Sequence, residues 1–421
     1  MAVGAQANRI LGANDRIHVA VIGLGGRGGN HVDSYLGIET CRVAALCDVN
    51  QAAIEKAQAR VQRSAQEAPK SYDDMRKVFE DKTIDAVSFA TPNHWHALGS
   101  IWAMQAGKDV YCEKPASHNL FEGFQMIAAA RKHGRMLQIG SQSRSEEHFQ
   151  KAVQLLNEGI IGKVYMAKGL CFKVRRSIGR KPDEPTPPGV DWSQFLGPAP
   201  MRPFNELRFR YNWHWFWDTG NGDLGNQGVH QTDILLWGLG KTTLPKHTVS
   251  TGGKLVYDDD QETPNTQMCA YDWGDGVQAQ FEVRGLPTGP EGGLSARGGN
   301  TVGNIFFGSE GWLSLDGGGF QVYKGVRGEK IMDVPATRVN DTQVHMRNFL
   351  DAVRSRRHQD LNADIEIGMR AAAIVHQANI SYRLGRKVTW DEATRKFVGD
   401  SEANRMISRD YRKPYVVPEN V

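Results

Sequence analysis

The chain contains no run of about eighteen apolar residues, so no segment is expected to span a membrane. It has no basic stripe interleaved with aromatics, and its net charge is only +4 over 421 residues, which argues against nucleic acid as a partner. Its cysteines, Cys41, Cys47, Cys112, Cys171 and Cys269, are odd in number and never form a C-x-x-C pair. That pattern argues against a disulfide framework or zinc knuckle and predicts buried thiols. Internal repeats are lacking. The opening MAVGAQANRILGAND has neither a basic n-region nor an apolar h-region, so as it stands it is no signal peptide.

With 40% hydrophobic and 23% charged residues, the composition is that of a soluble globular protein, and its length predicts two domains. Residues 15–141 read as strands alternating with helices. RIHVAVIG, CRVAALCD, IDAVSFATP, DVYCEKP and RMLQIGSQ are the strands; QAAIEKAQARVQ, SYDDMRKVFED and NLFEGFQMIAAARKHG are helical. This alternation predicts an α/β, doubly wound parallel sheet with helices on both faces.

The texture changes in 142–421. A long loop is expected at about 175–212, and strand-like runs joined by glycine turns fill 247–325, with TQMCAYDW and VQAQFEVR as the clearest hairpin. Helical periodicity returns at 341–355 and 363–384, the latter closed by Gly385. The second domain is therefore predicted to be α+β, with a large, mostly antiparallel open sheet and helices on one face. An uncovered sheet face predicts a homodimer or homotetramer.

The motif VIGLGGRGGNH places Gly23, Gly25 and Gly28 as G-x-G-x-x-G between a strand and a helix, with Leu24 and Arg27 inside the turn. The glycines permit a tight turn, backbone approach to a pyrophosphate and close helix packing, and the helix N-terminus favours phosphate. Asp48 ends the next strand about 20 residues further on, where a carboxylate grips a ribose 2′-OH. NAD is thus favoured over NADP, although Arg27 could answer a 2′-phosphate. Thr91, Pro92, Asn93 and His96 in ATPNHWHA, together with Glu113, Lys114 and Gln142, end later strands and are expected to line the same crevice. His94 and His96 alternate as strand residues would, yet no third ligand lies nearby and no metal is expected.

In VYCEKPAS, the lysine faces a nicotinamide cation, which disfavours its ammonium form and lowers its pKa; by itself a surface lysine paired with Glu113 is the plainer interpretation. In GNGDLGNQGVHQTDILLWGLG, a helix starting near Leu224 puts Asn226, His230, Asp233 and Trp237 on one face, with Asp233 orienting the imidazole. An aspartate and histidine merely satisfying each other is an equal alternative. Upstream, LRFRYNWHWFWD packs Arg208, Arg210, Tyr211, Trp213, His214, Trp215 and Trp217 together, as a sugar pocket does. Arg208, Tyr211, His214, Trp217 and His230 are the candidate substrate contacts.

These segments, VIGLGGRG, ATPNHWH, EKP and GNGDLGNQGVHQTD, resemble in order and spacing the Gfo/Idh/MocA oxidoreductase family, over nearly the whole chain. The resemblance implies catalytic roles for Lys114 and His230 and hydride transfer between a sugar carbon and C4 of the nicotinamide. Many dehydrogenases of the family carry an aspartate where this chain has Asn226, so His230 works with Lys114 alone or Asp233 substitutes. The expected activity is NAD-dependent oxidation of a ring hydroxyl such as C3 of a sugar or glycoside. One rival is a redox-neutral glycoside hydrolase that keeps NAD bound and works through a 3-keto intermediate; another is a non-catalytic sugar or nucleotide sensor. ANRILGANDRI looks like the segment that follows twin-arginine signals in exported relatives, but the arginine pair is absent. A periplasmic location is expected if such a signal was removed, and a cytoplasmic one otherwise.

Overall fold

A computed structural model describes residues 15–64, 67–337 and 340–421. The expectation about export rests largely on residues 1–14, outside the described residues. Six strands, β1 (Ile17–Ile22), β2 (Cys41–Cys47), β3 (Lys70–Tyr72), β4 (Ala86–Phe89), β5 (Asp109–Cys112) and β6 (Leu137–Ile139), form one parallel sheet in the order β3-β2-β1-β4-β5-β6. Its central strands are buried on both faces, which is why they read as largely apolar runs, with the buried Ser88 hydroxyl and Asp109 carboxylate hydrogen-bonded. The order reverses between β1 and β4, and the carboxyl ends of the strands there open a crevice.

Helices α1 (Gly26–Leu36), α2 (Gln51–Gln62), α3 (Met75–Glu80), α4 (Asn93–Gln105) and α5 (Leu120–Lys132) connect the strands. Their starts are written locally. The Asn50 side chain accepts from the Ala52 N–H, and Asn119 accepts from Glu122 N–H at 2.9 Å while Glu122 reaches back to the His118 N–H. Two local expectations are corrected. Ser71 and Tyr72 belong to β3, a mostly exposed three-residue edge strand with no apolar run to betray it, rather than to a helix. His94 and His96 lie in the first turn of α4, started by Pro92, and not in a strand.

The second sheet has ten strands. Beyond α6 (Glu147–Asn157), its members are β7 (Val164–Phe172), β8 (His247–Gly253), β9 (Thr266–Asp272), β10 (Gln278–Arg284), β11 (Thr301–Gly308), β12 (Gly311–Asp316), β13 (Gly319–Lys324), β14 (Glu329–Pro335), β15 (Val388–Asp391) and β16 (Lys396–Phe397). All pairings are antiparallel except β7 with β10. The expected hairpin is β9–β10, turned through Gly274 and Gly276 at positive φ. The expected loop at 175–212 instead carries a short helix, α7 (Trp192–Leu196), and a small core of Trp192, Phe195, Leu196 and Phe204.

Helices α8 (Val229–Gly238) and α10 (Ile365–Leu384) pack on one face of the second sheet, with Ile234, Leu235 and Leu236 meeting Phe281 and Phe306 in one core. On the sheet strands, Tyr165, Val249 and Met268 remain about half exposed. Helix α9 (Asp341–Ser355), late in the chain, returns to the first sheet, where Met346, Phe349 and Leu350 join Val19 and Tyr111 in a single core. The five cysteines are buried free thiols. Among the described residues no helix is long and apolar enough to cross a membrane.

Candidate active site

Two adjoining cavities lie at the carboxyl edge of the first sheet. The first, about 660 Å³, runs along Gly23, Gly25, Asp48, Thr91 and Pro92 and reaches Lys114, Tyr211 and Asn226. The second, about 580 Å³, is lined by Lys114, Gln142, Glu146, Lys173, His230 and Asp316, among others. Arg27, Glu113 and Lys114 face both, so Lys114 stands at the partition.

The first cavity fits a dinucleotide. Gly23 has φ +83°, and a Cβ there would come within 2.8 Å of the Ala90 backbone; at Gly28 it would strike the Gly23 carbonyl at 1.8 Å. A Cβ on Gly25 or Gly26 would meet nothing within 4 Å, which is the open side a pyrophosphate approaches. No acidic residue occupies the first turn of α1, and no side chain caps it, so its N–H groups and dipole are available to an anion. The Asp48 carboxylate accepts from Leu24 N–H at 2.5 Å and Asn50 N–H at 2.8 Å, fixing its direction while leaving lone pairs for ribose hydroxyls. Burial pushes its pKa up, and those N–H groups oppose the shift. Replacing Asp48 by alanine is expected to weaken NAD binding roughly 10- to 100-fold, the worth of one or two hydrogen bonds to a charged group, measured by calorimetric titration. Unchanged affinity would remove the ribose role.

Arg27 turns away from this end. Its Nε donates to Glu113 Oε1 at 2.7 Å and its Nη1 to Thr342 Oγ1 at 3.3 Å, so it is committed elsewhere than to a 2′-phosphate beside Asp48. Glu113 is the hub of the partition. Its Oε1 also accepts from Gln142 at 3.1 Å and contacts His31 Nε2 at 3.0 Å. Burial alone would raise its pKa, but Arg27, His31 and Lys114 hold it well below the usual carboxylate range.

Lys114 Nζ donates to the backbone carbonyl of Asn226 at 2.9 Å and lies 3.5 Å from its side-chain oxygen; its bond to Pro115 is cis. Burial lowers its pKa to about 8, with Arg27 and Lys173 adding to the shift and Glu113 and Asp223 resisting it. Asn226 in turn donates to Tyr211 Oη at 3.0 Å, and Arg175 donates to the same oxygen at 3.1 Å. Arg175 also clamps Asp223 with two bonds of 2.8 and 2.9 Å. His230 faces the second cavity, where burial and Lys114 push its imidazole down to about 3, so it is neutral at working pH.

The helix begins where expected, but its opening turn is not α. Residues Leu224–Gly228 form a π turn before α8, and Gly228 presses so close that a Cβ would lie 2.8 Å from the Phe281 ring. The wide turn breaks the 226–230–233–237 face: Asn226 opens to the first cavity and His230 to the second. Asp233 does not orient the imidazole. Both its oxygens accept from Arg144 Nε, at 2.7 and 2.9 Å, and that guanidinium stacks 4.7 Å over Trp237.

Several expected contacts lie outside the cavities. Arg208 pairs with Glu262 and covers Phe216, and Trp217 packs against Tyr382 and Arg383. Asn93 bonds Asn221, His96 spans the carbonyls of Pro115 and Thr91, and His94 lies between those of Phe195 and Thr219. Leu24 is buried under the turn, contributing its N–H rather than its side chain. Tyr211 and His214 line the cofactor cavity, not the second one, and Gln142 lines the second. Sequence reasoning missed Lys173, Arg175, Asp223 and Glu146. Lys173 and Arg175 alternate just past β7 and so face the same side, the signal that would have found them.

A strap formed by residues 175–217 covers the cofactor cavity. Asp191 N–H donates to the Val49 carbonyl at 2.8 Å and Gln51 N–H to the Gly189 carbonyl at 2.9 Å, so the strap fastens immediately beyond Asp48. Phe195, Phe209, Tyr211 and Trp213 then roof the cleft.

Comparison with known proteins matches residues 17–141 to an oxidoreductase family with an NAD-binding Rossmann fold. Residues 148–282 and 310–417 match the C-terminal alpha/beta domain of an oxidoreductase family. An inositol 2-dehydrogenase of Salmonella typhimurium is 30% identical over 158 residues, covering 36% of this chain and 45% of its own length. A glycosyl hydrolase family 109 protein of a Shewanella species is 29% identical over 157 residues, 36% of this chain and 34% of its own. The matches thus span between about a third and a half of these relatives' lengths. Among solved structures, the WlbA dehydrogenase from Bordetella pertussis, in complex with NADH and UDP-GlcNAcA, shares the fold. Its TM-score is 0.66 at 19% identity, over 89% of this chain and 99% of that one.

Proposed function

The chain belongs to the Gfo/Idh/MocA family of NAD-binding oxidoreductases, and from that premise we propose that it oxidises a ring hydroxyl of a sugar or glycoside, C3 being the favoured position. The observation that carries this reading is Lys114, standing between a cavity that fits a dinucleotide and a polar cavity that holds His230. Bound NAD supplies the two-electron acceptor. Gly23, Gly25, the start of α1 and Asp48 hold its phosphates and ribose, and the strap keeps water from the cleft.

In the second cavity, neutral Lys114 accepts the hydroxyl proton, because a group whose pKa is about 8 is better matched to neutral pH than the His230 imidazole near 3. His230 hydrogen-bonds the same hydroxyl and fixes its direction. The Asn226 carbonyl positions Nζ, and Lys114 as ammonium then steadies the developing charge on oxygen. The missing aspartate at Asn226 is thereby accommodated: the backbone at that position supports the lysine.

A second reading, redox-neutral hydrolysis of a glycoside through a 3-keto intermediate, is supported by the strap over the cofactor cleft and by the likeness to a family 109 hydrolase. One experiment separates the two. Glucosides, galactosides and free sugars are incubated with protein and NAD⁺, following reduced cofactor by absorbance and products by mass. Reduced cofactor with a product two hydrogens lighter supports the dehydrogenase; free sugar without net reduction supports the hydrolase; neither, over the whole panel, counts against both.

A further inference from the structure

Glu146 has no role in hydroxyl oxidation, yet it lines the second cavity with Lys114 and His230. It stands at the N-terminal flank of α6 without a side-chain capping bond, and its side chain is only 15% exposed. Among the described residues no lysine or arginine pairs with it, although a buried carboxylate ordinarily has such a partner; Arg27, Lys114, Lys173 and Arg297 line the same cavity without reaching it. Its close basic neighbour is His148, whose Nδ1 is 3.8 Å from Oε2. His148 Nε2 donates to the Asp316 carbonyl at 3.1 Å, which leaves an Nδ1 lone pair, not a proton, facing Glu146. Asp341, at the start of α9, adds a second negative charge. The Ser143 hydroxyl favours the ionised form, while Arg297 and Asp316 line the cavity beyond.

We propose that Glu146 is a proton donor to an oxygen of the bound sugar, the acid that assists departure of the C1 substituent from a 3-keto glycoside. The assignment rests on the hydrolytic reading of the same site. The step balances as an elimination. Lys114 takes the proton from C2, the C2–H electrons form the C1=C2 bond, the C1–O bond breaks, and the departing oxygen takes the Glu146 proton. Water then adds at C1, losing a proton to the Glu146 carboxylate, while the Lys114 ammonium returns one to C2. Burial and Asp341 bring the Glu146 pKa up to about 7, so both forms needed for this cycle are populated near neutral pH.

The test uses full-length protein and two synthetic substrates already oxidised at C3, the methyl and 4-nitrophenyl 3-keto-glucosides. Neither needs cofactor turnover. Methoxide is a poor leaving group that requires a proton, and nitrophenolate is not. Glu146→Gln is expected to slow methanol release by at least about a hundredfold while slowing nitrophenol release less than about threefold. It should also abolish the limb of the methyl pH profile near 7. Glu146→Asp, which keeps the carboxyl, should recover part of the methyl rate, separating acid loss from misfolding. Equal slowing of both substrates, or of neither, overturns the assignment. Wild-type protein that reduces NAD⁺ with a sugar yet cleaves neither keto-glycoside also overturns it and leaves oxidation standing. Cleavage of both without sugar-dependent reduction of NAD⁺ does the reverse.

Discussion

Replacing Lys114 by alanine is expected to lower turnover by roughly a thousandfold, within the range that a positioned acid–base group contributes, while NAD stays bound. The second half of that expectation follows from the geometry. The groups proposed to hold the phosphates and ribose, Gly23, Gly25 and Asp48, lie along the first cavity, whereas Lys114 Nζ is tethered to the Asn226 carbonyl at the partition. Steady-state rates with calorimetric NAD titration test both halves; loss of cofactor with the lysine would reassign it to binding. The wild-type pH profile carries the same information. With a pKa near 8 the side chain is ammonium below that value and amine above it. Oxidation, which needs a proton acceptor, should therefore accelerate as pH rises through about 8, and reduction of the corresponding ketone should slow over the same interval.

Glu113→Ala is expected to destabilise the folded protein by about 3 kcal/mol or more, the usual consequence of removing one partner from a buried charged network. Glu113 is 4% exposed, and its removal leaves Arg27 Nε, the buried His31 ring and Gln142 without their shared acceptor. Thermal melts should show the loss, and Glu113→Gln, which keeps an acceptor oxygen but not the charge, should fall between. The effect has a pH signature. Because the folded-state pKa is held below the ordinary carboxylate value, this stabilisation is present above about pH 4.5 and fades as pH falls below it. A melting difference between wild type and Glu113→Ala that persists undiminished at pH 3 would show that packing, not charge, makes Glu113 matter. Since Glu113 also holds Arg27 at the partition, the variant should lose turnover beyond what its melting loss explains.

Much of this was written along the chain. Strands buried on both faces, such as IHVAVI and AVSF, must be largely apolar, so their alternation with capped helices declared a parallel sheet. The glycine turn was legible for a similar reason: at Gly23 and Gly28 a side chain collides with backbone, and a local steric demand leaves a local mark. β3 left none, because two of its three edge residues are exposed and only Tyr72 packs on the core. The aromatic cluster misled, since aromatics serve core and cavity alike. Of Arg208, Tyr211, His214 and Trp217, two line the cofactor cleft and two pack elsewhere.

The sequence alone therefore determined the sheet classes, the family likeness, the glycine turn after β1 and the lysine placed just past β5, all set by spacing over a few residues. Tertiary structure alone decided the partners. Asp233 lies one helical turn from His230, yet it is taken by Arg144, 89 residues away along the chain, and Asn226 meets Lys114 across 112. Charge pairing and burial depend on what arrives through space. They set the pKa values of Lys114, His230 and Glu146, on which the proposed chemistry rests, and no spacing along the chain records them.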